Sequence, residues 1–344
     1  MRRLRILVLM HPDCVPPDST DGYSAKEIHG WKTEFDVVST LRAAGHDVRP
    51  LGVQEEIKPL RDEIESFKPH VVYTLLEEFH YASAYDQHIA SYLELMKVPY
   101  TGCNPRGLIL ARGKDLSKTL VHHRRIAVPA FAVFPKNRKV KRPPRLALPL
   151  IVKSLSEDGS FGISQASIVD TDEQLAERVA FVHEKLETAA IAEQYIEGRE
   201  LYVGVLGNTR LQVLPVWELK FGSLGGEGAR QIATQKAKHD VDYQERVGIV
   251  DGPAEDLAPE VYARIQRTAK RIYKILGLDG YARIDFRLAA DGTPYFIEAN
   301  PNPEIAKSQE FATAAKHVGI DYPDLLHRIV TLGISRAKAG ASVG

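Results

Sequence analysis

"ARIDFRLAADGTPYFIEANPNPEIA", residues 282–306, places two apolar runs on either side of an Asp-Gly, and its reading decides the fold. Asp291-Gly292 between alternating segments is a strong hairpin signal, and the spacing predicts a two-residue type I′ turn. Counting outward sets Ala290 opposite Thr293, Phe286 opposite Ile297, Asp285 opposite Glu298 and Arg283 opposite Asn300. Period-two alternation gathers Arg283, Asp285, Glu298 and Asn300 on one face, with Ile284, Phe286, Tyr295 and Ile297 on the other. Two directly opposed carboxylates have Cβ atoms about 5 Å apart and repel. A cation between them relieves this. Arg283 is one candidate, and a hard divalent ion is the better one, because Mg²⁺ takes carboxylate and amide oxygens together with substrate phosphates. A polar face turned to solvent explains the hairpin equally well, so the rest of the chain must decide.

The 344 residues exceed one typical core and predict roughly two or three domains. Zero formal net charge gives no reason to expect a nucleic-acid partner. The one basic run, residues 136–145 ("KNRKVKRPPR"), is short and Pro-containing and reads as a solvated loop. No apolar stretch approaches the ~20 residues of a membrane span. "LRILVLM" (4–10) is too short for a signal segment and is followed by "HPDC", so no membrane partner and a cytoplasmic location are expected. Cys14 and Cys103 lack CxxC spacing and support neither a disulfide framework nor a zinc site.

Along the first hundred or so residues strands and helices alternate. Residues 4–10, 46–53 and 70–76 read as strands, and Lys32–Ala44, Ile57–Phe67 and Tyr85–Met96 as helices. Short connections between them predict a doubly wound parallel sheet. The first strand leads into "HPDCVPPDSTDGYS", not into G-x-G-x-x-G, which counts against a nicotinamide dehydrogenase. Beyond Asn104 the pattern becomes α+β. A helix over Leu116–Arg125 precedes two strands around a Gly/Ser loop (146–169), and Thr171 with Gln174 forms a capping-box start for the next helix. Lys153 ends a strand, and Gly159 and Gly162 permit a loop whose N–H groups fold over phosphates. A helix over Glu260–Leu276 stops at Gly277. The expected boundaries are 1–103, 104–193 and 194–335, with 336–344 as a frayed tail.

Taken in order, "VPYTGCNPRGLILARGKDLSK" (98–118), "VKSLSEDGSFGIS" (152–164), "AEQYIEGRELYVGVLG" (192–207), "ATQKAKHD" (233–240) and residues 281–303 resemble the ATP-grasp superfamily, and within it the D-alanine–D-alanine ligase family. The resemblance implies an α/β, three-domain ATP-grasp architecture: an N-terminal doubly wound parallel sheet and two α+β ATP-grasp domains. It implies ATP-dependent carboxylate–amine ligation through an acyl phosphate. Lys114 and Lys153 are expected on the nucleotide phosphates, under a loop containing Gly159 and Ser160, with Lys238 reaching toward the terminal phosphate. Glu193 is expected to accept from the adenine amino group, Tyr195 and Ile196 to line the crossover, and Glu200 to hold the ribose hydroxyls. Asp285, Glu298 and Asn300 are expected to hold a pair of Mg²⁺ ions, or Mn²⁺, and Arg283 to stabilise developing negative charge. The implied partners are a small carboxylate and an amine, amino acids or a small peptide, and a homodimer fits the same resemblance.

The substrate half departs from the family. "TDGYSAKEIHGWKTEF" (20–35) occupies the place of its glycine-rich segment, with Glu27 the candidate counterpart of the substrate-binding glutamate. "LLEEFHYASAYDQ" (75–87) replaces its His-Gly and Gly-Glu-Asp-Gly region, and after Asn300 comes "PNPEIA", with Glu304 at a glycine position. A nucleotide half that is kept beside a substrate half that is altered makes D-alanine an unexpected second substrate. A genuine D-alanine–D-alanine ligase, and a nucleotide-binding protein without ligase turnover, are the competing readings.

Overall fold

The computed structural model describes residues 3–156, 162–221, 232 and 248–341. Strands β1 (Arg5–Met10), β2 (Asp47–Gly52) and β3 (Val71–Thr74) form a parallel sheet in the order β2-β1-β3. Ile6 to Met10 are all buried, as a central parallel strand covered on both faces requires. Helices α1 (Ala25–Gly30), α2 (Lys32–Ala43), α3 (Lys58–Phe67) and α4 (Asp86–Leu95) complete this part. Tyr100 bridges in parallel to Val72 beyond it.

Two helices lead onward, α5 (Pro105–Arg112) and α6 (Lys114–His123). The first has its own start signal: the Asn104 side chain accepts from the Gly107 N–H at 2.9 Å, and Pro105 occupies the first turn. Next comes an antiparallel sheet of β4 (Phe131–Phe134), β5 (Leu150–Ser154), β6 (Ile168–Val169) and β7 (Ala190–Gln194), ordered β4-β7-β5-β6. Helix α7 (Asp172–Lys185) packs on it through Leu175, Val179 and Val182. Thr171 Oγ1 accepts from the Gln174 N–H at 3.2 Å, and Gln174 Oε1 reaches back to the Asp170 N–H at 2.7 Å.

The last part is a five-stranded antiparallel sheet of β8 (Arg199–Leu206), β9 (Gln212–Lys220), β10 (Val250–Pro253), β11 (Tyr281–Leu288) and β12 (Pro294–Pro301), ordered β10-β9-β8-β11-β12. Helix α8 (Pro259–Ile275) joins the core on one face, with Ile265, Ala269 and Ile272 in one cluster with Leu201, Val203, Ile284 and Phe286. Helices α9 (Glu310–His317) and α10 (Tyr322–Ala341) follow. Leu7 and Leu9 of β1 belong to that same core, whereas Ile6, Val8 and Met10 belong to a second one with Val37 and Leu41 of α2 and Leu325, Leu326 and Ile329 of α10. The end of the chain therefore helps to bury the beginning. Of the tail expected over 336–344, residues as far as Ala341 continue the helix and 342–344 lie outside the described residues; the Arg336 guanidinium donates to the carbonyls of Gly102 (2.6 Å) and Tyr100 (2.7 Å), meets Asp279 at 3.0 Å and covers the Tyr100 ring.

In the opening hairpin Asp285 faces Glu298 and Arg283 faces Asn300, as counted from sequence, but by a different path. Phe286 pairs with Phe296 and not with Ile297, because the register shifts after Asp285 and leaves Ile297 as a bulge. The turn also differs. Ala289 N donates to Thr293 O at 3.0 Å and Gly292 N to Ala289 O at 2.9 Å, which makes a three-residue loop. A type I′ turn needs positive φ at both central residues; Gly292 has it (+76°), Asp291 does not, and the Asp291 carboxylate accepts from the Thr293 N–H at 2.8 Å. The extra turn residue and the bulge cancel. The polar set stays where it was counted, but the apolar face is Ile284, Phe286 and the fully buried Phe296, while Tyr295 and Ile297 are only half-buried.

Candidate active site

Arg283, Asp285 and Arg287 alternate along β11, on the face opposite Ile284 and Phe286. Asp285 is 4% exposed, and its carboxylate accepts from Arg283 Nε (2.8 Å), Arg283 Nη2 (3.0 Å) and Asn300 Nδ2 (3.0 Å). Arg283 Nη1 donates to Glu310 at the start of α9, and the guanidinium lies 4.7 Å above the Tyr202 ring. Held on three sides, the guanidinium has little freedom to move. Arg287 pairs with Glu200 across the ladder at 3.0 Å, and the Tyr202 hydroxyl donates to the same carboxylate at 2.8 Å. Sequence reasoning passed over Arg287 and Glu310. The first was legible as the next same-face position after 283 and 285, whereas Glu310 comes from a separate helix.

The four-stranded sheet brings Lys153 of β5 to Glu193 of β7, with Nζ 3.4 Å from Oε2. Lys118 of α6 stands 3.4 Å from the same oxygen and donates to the Ile297 carbonyl in the bulge, so one fully buried ammonium ties the two antiparallel sheets together. Burial pushes Lys118 down to about 8 against the pull of Glu193. Burial opposes the Glu193 charge, but Lys118 and Lys153 outweigh it and hold the carboxyl below its ordinary value. Lys114 is buried one turn before Lys118 on α6. Its i, i+4 partner was missed, although the spacing of the two lysines was readable. Lys238, Gly159 and Ser160 lie outside the described residues.

Among the described residues the buried Glu193 Oε1 has no hydrogen-bond partner, which suits an N–H donor on a ligand. Past it, Tyr195 N donates to Pro149 O at 3.0 Å and Ile196 is buried, forming the crossover into β8. Gly198 closes that crossover at φ +148°; a Cβ there would stand 2.0 Å from the Leu288 carbonyl oxygen. Asp285, Glu298 and Asn300 offer two carboxylates and an amide on one face. That donor set fits Mg²⁺, which keeps waters and takes substrate phosphates, better than an all-protein cage. Among the described residues no group of three or more His, Cys, Asp or Glu side chains could hold a metal unaided.

A cavity of about 870 Å³ opens at the C-terminal ends of β1 and β3, where ligands sit in open α/β sheets. His11 and residues 74–78 line it on one side and Arg283 and residues 300–305 on another, with Thr33 and Glu34 of α2 beside them. Glu304 belongs to this lining and accepts from Thr33 Oγ1 at 3.2 Å. Glu27 does not line it. Ser24 N and Oγ donate to the Glu27 carboxylate at 2.8 and 2.6 Å in a capping box for α1, and those bonds hold its carboxyl below the ordinary value. The glutamate of that region that does line the cavity is Glu34. Burial, with Glu304's charge adding to it, pushes Glu34 up to about 7.

The family model described as D-ala D-ala ligase C-terminus matches residues 120–331. The chain is 35% identical over 246 residues to the D-alanine–D-alanine ligase of Bordetella petrii, covering 70% of this chain and 69% of that one. Against the D-alanine–D-alanine ligase of Aquifex aeolicus it is 28% identical over 329 residues, 95% of this chain and 100% of the other. The crystal structure of a D-alanine–D-alanine ligase from Bacillus anthracis superposes with a TM-score of 0.76 at 22% identity, covering 98% of this chain and 99% of that one. The architecture is the three-domain ATP-grasp fold that the sequence led us to expect.

Proposed function

The chain belongs to the D-alanine–D-alanine ligase family of ATP-grasp carboxylate–amine ligases, and from that membership we propose that it condenses a small carboxylic acid with an amine while ATP is cleaved to ADP and phosphate. The substrate class is amino acids or a small peptide. The observation that carries this reading is the face of Arg283, Asp285, Glu298 and Asn300, joined to the Lys153–Glu193 pair through Lys118. These residue types are the ones that phosphate binding, metal ligation and oxyanion stabilisation call for, which supports the reading.

Lys153 and Lys114 supply positive charge to the nucleotide phosphates. Glu193 Oε1 accepts from the adenine amino group, and Glu200, fixed by Arg287 and Tyr202, presents its carboxylate to the ribose hydroxyls. Mg²⁺ ions held by Asp285, Glu298 and Asn300, or Mn²⁺ in their place, neutralise phosphate charge when bound. A substrate carboxylate oxygen attacks the γ-phosphorus, the bond to the ADP oxygen breaks, and an acyl phosphate forms. The amine nitrogen then attacks the acyl carbon, the oxyanion develops beside Arg283, and phosphate leaves as the amide forms.

Glu304, with Glu77 and Glu78 in the same cavity lining, argues against D-alanine as the second substrate, since its carboxylate would meet like charge. The experiment is a panel of amino acids and other small acids and amines with ATP and Mg²⁺, reading ADP and product mass. ADP release tied to one acid–amine pair supports the ligase reading. Nucleotide binding without ADP from any pair supports a binding protein without turnover, and efficient D-alanyl-D-alanine formation supports the relatives' own reaction.

A further inference from the structure

Tyr202 stands in the middle of the polar face. The ladder between β8 and β11 sets Glu200 opposite Arg287, Tyr202 opposite Asp285 and Gly204 opposite Arg283. Alternation puts these residues on one face, so Tyr202 lies midway between a carboxylate at one end and an arginine at the other. The residue is 4% exposed, and its two parts meet different groups. The hydroxyl donates to Glu200 Oε1 at 2.8 Å while Arg287 lies 3.0 Å from Oε2, which fixes the plane of that carboxylate. Burial and the Glu200 charge keep the phenol protonated, so the hydroxyl remains a donor. The ring lies 4.7 Å from the central carbon of the Arg283 guanidinium.

Arg283 needs such a support. Asp285 accepts from its Nε and Nη2 and also from Asn300 Nδ2. The ligase reading gives the same carboxylate to a metal ion, which competes with the guanidinium for it. Two further contacts stand outside that competition. Glu310 takes Nη1 from the first turn of α9, a helix anchored by its buried Phe311, Ala312 and Ala315. The Tyr202 ring takes the flat face of the guanidinium, a cation–π contact that gains strength where water is excluded. One contact fixes an edge of the group and the other its plane.

We propose that Tyr202 is a positioning residue for both halves of the reaction: its hydroxyl orients Glu200 toward the ribose hydroxyls, and its ring, together with Glu310, orients Arg283 toward the developing oxyanion. This rests on the ligase reading and joins its nucleotide-binding step to its amide-forming step through one side chain.

The two parts separate by substitution. Tyr202→Phe removes the hydroxyl and keeps the ring, whereas Tyr202→Leu removes both. Calorimetry on the full chain, with Mg²⁺ and neither acid nor amine, compares ATP with 2′,3′-dideoxy-ATP, which differ only in the ribose hydroxyls. The preference for ATP should shrink at least about threefold in Tyr202→Phe and to the same extent in Tyr202→Leu. A purely structural role would weaken both nucleotides alike and leave the preference intact. With the acid–amine pair that gives turnover, kcat at saturating ATP should be at least about tenfold lower in Tyr202→Leu than in Tyr202→Phe. Tyr202→Met takes the place of the leucine variant if melting shows that variant unfolded. A full ATP preference in Tyr202→Phe, a further loss of that preference on removing the ring, or equal kcat with and without the ring overturns the proposal and leaves the ligase reading standing. ATP binding with no ADP from any acid–amine pair sinks the ligase reading itself, and this inference with it.

Discussion

Asp285 gives up both carboxylate oxygens to Arg283 and Asn300, so its charge orders the guanidinium to which the proposed mechanism gives the oxyanion. Asp285→Asn removes that charge and one metal-type ligand together, and should lower ADP formation by about 10²–10³-fold or more with the circular dichroism spectrum unchanged. Wild-type turnover in that variant would contradict the assignment. Glu34 makes a separate prediction, from protons. Its ordinary value is 4.5 and the folded chain raises it to about 7, so between those values the native state binds more protons than the unfolded one. Stability therefore falls as pH rises through that window and stays lowered above it. Glu34→Gln should melt above the wild type at pH 8 and together with it near pH 4.5. Coincident midpoints at both values would show that Glu34 is not so perturbed. The same region shows how a sequence can mislead at this scale. Glu27 looked like a substrate ligand, but Ser24 three residues before it is the capping-box signal that accounts for it, and only the fold turns Glu34 toward the cavity.

Elements were legible where alternation or a cap signal was strong, and less so where a tertiary contact sets the backbone. The pairing of Asp285 with Glu298 could be counted because two deviations cancel, and neither was visible in sequence. The bulge at Ile297 sits where Lys118 takes the Ile297 carbonyl and the Ala127 carbonyl accepts from the Phe296 N–H, both contacts from residues far along the chain. Helix α5 was readable from Asn104-Pro105 and was overlooked. The crossover after β7 depends on Gly198, whose positive φ and 2.0 Å approach to Leu288 O exclude a side chain. Gly198→Ala should cost about 2 kcal/mol or more in denaturant unfolding and weaken ATP binding, since it displaces the strand carrying Glu200. A variant with unchanged midpoint and ATP affinity would show that the crossover tolerates the shift.

Across the whole molecule, the two faces of β1 feed two cores, and α10 returns to cover the first sheet. A tail was expected only from residue 336; the burial of Leu325, Leu326 and Ile329 on the N-terminal sheet and the anchoring of Arg336 are long-range contacts that no local pattern announces. Arg336→Ala strands the Tyr100 and Gly102 carbonyls and should lower stability by about 2 kcal/mol, with its melting midpoint as the check. The four-stranded sheet that carries Lys153 and Glu193 has a third core of its own, with Leu150, Val152, Leu175 and Val179. The most direct test of the proposed ligation follows an oxygen atom. With an acid labelled by oxygen-18 in its carboxylate, the amine partner that gives turnover, ATP and Mg²⁺, the account predicts ADP, one amide per ADP, and released phosphate carrying one labelled oxygen. Unlabelled phosphate, or AMP and pyrophosphate in place of ADP, would contradict it.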